Sequence, residues 1–121
     1  MNESILESIK KLLGIDTEYT VFDQDILIHI NSVFMILRQL GVGPDEGYKI
    51  TSKNNVWSEF SEDDVYIESV KTYVYLKVRM YFDPPQNSAF AQAIQAQIAE
   101  LEWRLNVASD EQKARNEENV V

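Results

Sequence analysis

The sequence predicts an all-α fold: a compact bundle of about four helices, a longer loop between the second and third, and a flexible C-terminal tail. Three observations carry that expectation. Apolar residues recur every three or four positions in four separate stretches. Helix-breaking residues fall between those stretches: Gly14, the run GVGPDEG at 41–47, and DPP at 83–85. Small polar or acidic residues suited to capping helix starts precede them.

The first helix is expected over 3–13, with Ile5, Ile9, Leu12 and Leu13 inward and Glu3, Glu7, Lys10 and Lys11 on the wet side. Asn2 is the expected cap and Gly14 the stop, because glycine takes the left-handed conformation at little cost. The second helix is expected over 21–40, with Ile26, Ile30, Val33, Leu37 and Leu40 as its buried stripe. Phe22, Leu27, Phe34 and Ile36 widen that stripe and imply contact on two sides. Thr20 and Asp23 approximate a capping box, with Asp in place of Glu, and Gly41 ends the helix.

Residues 41–61 form the longest irregular segment. Its β-tolerant piece at Tyr48–Thr51 and the turn residues Asn54 and Asn55 leave a short hairpin as one reading and an irregular loop as the other. Loops of this length in small domains often carry function. The third helix opens at Ser61 as cap, with Glu62, Asp63 and Asp64 where the dipole favours anions. Ile67, Val70, Val74, Val78 and Tyr81 form its stripe. Tyr66, Tyr73, Leu76 and Met80 lie off it, so this helix is expected to be central and covered on several sides.

Pro84 and Pro85 impose a stiff reversal, because neither continues a helix interior. Asn87 or Ser88 then caps a fourth helix over 88–107, whose buried stripe is Phe90, Ile94, Ile98, Leu101 and Leu105. Glu100 and Arg104 form an i,i+4 pair in the favourable order. Residues 1–107 are expected as one helical domain and 108–121 as a polar tail, either frayed helix or disordered.

Composition bounds the chemistry. The 121 residues suffice for one domain, and the net charge of −9 repels phosphate backbones, which disfavours generic nucleic-acid binding. The absence of cysteine removes thiolate chemistry, disulfides and thiolate metal sites. The N-terminal residues lack a basic region and a small-residue cleavage site, and no apolar run approaches the ~18 residues of a membrane span. The expectation is a soluble intracellular protein with no membrane partner.

No catalytic pattern stands out. The single histidine, His29, flanks the second helix's stripe without a partner motif, which suits an edge-of-core role. Glu62, Asp63 and Asp64 are consecutive on a helix start, so they point apart, and no metal site is expected. No phosphate-binding glycine loop, dinucleotide fingerprint or nucleophile elbow is present, and no cofactor is expected. Basic residues are too sparse for a nucleic-acid stripe. Trp103 falls opposite the stripe of the fourth helix, near Ala96 and Ala99. A large aromatic beside small residues suits a partner-facing patch, unless Val56, Trp57 and Phe60 cover it.

LLGID (Leu12–Asp16), DQDILIHI (Asp23–Ile30), LGVG (Leu40–Gly43), YVYLKVRMYFDPP (Tyr73–Pro85) and ELEWRLN (Glu100–Asn106) together carry a likeness. The chain resembles the small head-tail connector, or head-completion, proteins of tailed bacteriophages and prophages, over about residues 3–107. Its 41–61 loop is longer and more polar than that pattern. The resemblance implies a helical protomer that assembles as a ring on the phage portal protein. It also implies that the ring extends the DNA channel and presents a docking surface to a downstream connector or tail-completion protein. The implied location is the head-tail interface of the virion, after synthesis in the host cytoplasm. It implies a structural role, not an enzyme, and no sequence-specific nucleic-acid binding. The residues expected to meet partners are Trp103, Ala96 and Ala99, then Lys49 and Trp57 in the loop, and Arg115 in the tail. The alternative is an acidic binding module or regulator, antitoxin-like or a nucleic-acid mimic, whose tail holds a basic partner.

Overall fold

Ser4 opens α1 (Ile5–Leu12) by accepting a hydrogen bond at Oγ from the Glu7 amide, 3.2 Å away. The cap therefore lies two residues past the expected Asn2. The computed structural model describes residues 2–118. Among them are α1, α2 (Asp23–Gln39), a single 3-10 turn at Trp57–Glu59, α3 (Asp64–Phe82) and α4 (Ser88–Glu118). These four helices make the all-α bundle that the sequence predicts.

Lys10 corrects the expected wet side of α1. It is only 1% exposed, because the chain after Gly14 folds back across it. Its Nζ donates to the carbonyls of Thr17 (3.0 Å) and Tyr19 (2.8 Å) and pairs with Asp23 Oδ1 at 2.8 Å. That carboxylate oxygen is buried and has no other partner among the described residues. Asp23 is thus committed to Lys10, and the expected capping box with Thr20 does not form; Phe22 caps α2 without a side-chain bond. Leu12, expected inward, is exposed.

Gly14 and Gly41 end their helices as expected, each with φ of +82°. At α2 the Gly41 amide bonds the Arg38 carbonyl (3.0 Å) and the Val42 amide the Leu37 carbonyl (2.8 Å). This is a Schellman closure, and Val42 is buried as its hydrophobic partner. Beyond it the 41–61 segment folds without a hairpin. Its one bridge pairs Val56 with Ser4 of the N-terminus. Asn31 on α2 pins the loop by bonding both the amide (2.8 Å) and carbonyl (2.9 Å) of Ile50. Asn55 Oδ1 accepts from the Thr51 amide at 2.8 Å, and Glu59 Oε1 accepts from Tyr48 Oη at 2.8 Å. Phe34, Tyr48, Trp57 and Phe60 form one aromatic cluster, with ring centroids 5.2–6.3 Å from Phe34.

Asp63, rather than Ser61, caps α3: its Oδ1 accepts from the Val65 and Tyr66 amides, both at 3.1 Å. Helix α3 is central as expected, packing on α1, α2 and α4. It buries Ile67, Val70, Tyr73, Val74, Leu76 and Val78, whereas Tyr81 is exposed. After the proline reversal Asn87 caps α4, its Oδ1 accepting from the Phe90 amide at 3.0 Å. Phe90 itself is exposed, beneath the Arg79 guanidinium.

Helix α4 runs to Glu118 instead of stopping at 107. Two polar side chains hold it there. Asn106 Nδ2 donates to the Leu40 carbonyl at 2.9 Å, and the Ser109 hydroxyl donates to the Gly41 carbonyl. Helix C-termini leave carbonyls unsatisfied, so these bonds cap α2 from α4 and bury Ser109. Residues 119–121 of the expected tail lie outside the described residues.

Candidate partner interface

Trp103 is 68% exposed, and Ala96 and Ala99 are exposed beside it on the outer side of α4. The spacing of seven and four residues puts all three on one helical face. The face points away from Ile98 and Leu105, which α4 buries against the bundle. Val56, Trp57 and Phe60 do not cover it, since Trp57 and Phe60 sit in the Phe34 cluster.

Trp57 requires correction as an interface residue. It is 1% exposed, and its Nε1 donates to Ser8 Oγ at 2.9 Å, which in turn donates to the Ile5 carbonyl. Satisfying the indole N–H inside the core leaves no part of this side chain for a partner. Lys49 is exposed, beside a shallow groove of about 400 Å³ that Phe34, Met35, Gly47 and Tyr48 line together with Arg38. Arg115 is exposed on α4 and shares a second groove, of about 330 Å³, with Val65, Tyr66 and Arg104 near the start of α3. The structure thus brings Trp103, Ala96 and Ala99 together and leaves Lys49 and Arg115 on separate surfaces.

The outer face of α2 also exposes apolar residues. Ile28 and Met35 are exposed seven residues apart, opposite the buried Ile30 and Leu37, and Val21 is exposed in the turn before the helix. An apolar residue standing opposite an apolar stripe is the signal that marks them.

Among the described residues, the groups whose titration the fold shifts are three tyrosines and one glutamate. Tyr73 Oη donates to Glu102 Oε2 at 2.7 Å between α3 and α4, and burial followed by this carboxylate pushes its phenol above the ordinary range. Burial followed by Glu59 does the same to Tyr48, and burial raises Tyr66 to about 12. Glu59 is held below the usual carboxylate range, first by the Tyr48 hydroxyl and then by the Val56 amide. His29 rests against the Tyr81 ring, with centroids 5.7 Å apart. Among the described residues no cluster of three His, Asp or Glu could hold a metal ion, and no helix is long and apolar enough to cross a membrane.

Large exposed apolar residues on the outer faces of a small all-helical bundle are candidate protein-contact surfaces. The family model described as "Phage connector protein" matches residues 5–112, nearly the whole bundle and the docked part of α4. The chain therefore belongs to the phage head-tail connector family, a structural family. No curated protein and no solved structure matches it.

Proposed function

We propose that the protein is a head-completion adaptor that assembles as a ring on the phage portal protein and links the capsid to the tail. The family match over residues 5–112 carries this reading, because it spans the folded unit and not one local motif. In this role the protein works by assembly and not by turnover, within the virion at the head-tail interface. Its net charge of −9 suits a channel wall, since like charge keeps DNA from adhering as it passes. Ala96, Ala99 and Trp103 form one contact patch, and the α4 end bearing Arg115 forms a second, toward the portal or a downstream connector. Lys49 faces a neighbouring copy.

Co-expression with the portal protein of the same genome tests this. A tagged portal is expected to retain the full-length chain through purification. Failure of the portal to retain it, with residues 108–121 either present or removed, would overturn the reading.

A further inference from the structure

Two exposed faces of the bundle lie at matching heights. On α2, Ile28 (57% exposed) and Met35 (66%) are spaced by seven. On the α4 side, Ala89, Ala96 and Trp103 are exposed with the same spacing. Both helices pack on α3 and hardly on each other. They run in the same direction. The Phe22 ring meets Phe82 at 5.3 Å, which sets the start of α2 at the end of α3, where α4 also begins. At the other end Asn106 reaches the Leu40 carbonyl at 2.9 Å, and Ser109 reaches that of Gly41. Residues of α2 therefore lie level with α4 residues 66 to 68 positions later. At the offset of 68, Ile28 is level with Ala96 and Met35 with Trp103, the second pair about 10.5 Å beyond the first; the offset of 66 changes these levels by only about 3 Å.

We propose that these two faces meet between neighbouring copies, α2 of one against α4 of the next, with Trp103 seated in the groove beside Met35. The inference rests on the reading that copies of the chain assemble into a ring. A closed ring relates copies by rotation without translation, so with helices along its axis the surfaces that meet must be level. These are. Their sizes complement one another: Ile28 opposes Ala96, and the groove of about 400 Å³ floored by Phe34 and Tyr48 receives the indole. The Met35 thioether then lies against the ring, a favoured sulfur–aromatic contact. Arg38 and Lys49 line the groove against the single acid Glu46, which makes it locally cationic, while Glu100, one turn before Trp103, is paired with Arg104 at 2.8 Å on its own helix. On a chain of net charge −9, a locally cationic groove lessens the general repulsion between copies.

The chain has no cysteine, so a single introduced thiol reports its own position. Full-length Met35→Cys and Trp103→Cys proteins are mixed, alone at high concentration and on the portal protein, and treated with a short bis-maleimide. Sedimentation records assembly in parallel. The expected result is a cross-link joining one variant to the other, with neither joined to a Val65→Cys control. Trp103→Asp, helical by circular dichroism, is expected to raise the concentration needed for assembly roughly tenfold or more, as loss of a central tryptophan anchor does. Assembly without the mixed cross-link, or wild-type assembly by Trp103→Asp, overturns this pairing and leaves the ring reading standing. No assembly under either condition overturns both.

Discussion

Lys10 anchors the first third of the chain through three bonds from one ammonium, to Thr17, Tyr19 and Asp23. Lys10 is buried but Asp23 is 27% exposed, so Lys10→Met leaves a partly solvated carboxylate and two carbonyls without their partner, at an expected cost of about 1–3 kcal/mol. Urea denaturation measures this, and adding Asp23→Ala is expected to restore part of the loss. A Lys10→Met protein as stable as wild type would refute the anchoring role. The tyrosines set a pH window. Tyr48, Tyr66 and Tyr73 have raised phenol values, so the folded state favours their protonated forms. That stability is fully present below the ordinary tyrosine value of about 10 and is lost as pH rises through the raised values. Glu59 is lowered, so its contribution is present above the ordinary glutamate value of about 4.3 and is lost on acidification. Melting temperatures across pH are expected to fall at both extremes, with Tyr73→Phe showing a smaller alkaline fall than wild type.

Among the elements, α4 depends on two side chains at its docked end. Asn106→Ala and Ser109→Ala each leave a carbonyl at the end of α2 without its partner, at a cost of about 1–3 kcal/mol apiece. Hydrogen exchange is expected to quicken first over residues 106–115, before the α2–α3 core loosens. Uniform quickening throughout would mean that the end of α4 is not separately held. The same elements explain what a linear reading can and cannot recover. The stripe of α2 and the central place of α3 are legible because apolar spacing alone reports which side of a helix is covered. Lys10 is not, because its burial depends on residues 14–23 folding back over α1. Ser109 is not legible either, since its polar neighbours resemble a solvated tail and its partner carbonyl lies 68 residues earlier. Nor is the burial of Trp57 legible, because it depends on a bond to Ser8, 49 residues away. The outward setting of Trp103 is legible from the wheel of α4, because an exposed helical face needs no distant partner to define it.

At the scale of the whole molecule, the bundle carries separate exposed surfaces on α2 and α4, which is what a link in a chain of structural proteins requires. The central helix separates the outer face of α2 from that of α4, and the capped end of α2 holds the α4 terminus in place. Assembly energy in such a protein comes from a few central anchors and not from total area. The most direct measurement is electron microscopy of the chain bound to the portal protein from the same genome. The account predicts a closed ring of this chain stacked coaxially on the portal, with its channel continuing the portal's. Portal particles whose averages show no added ring, at saturating concentrations of the full-length chain, would contradict it.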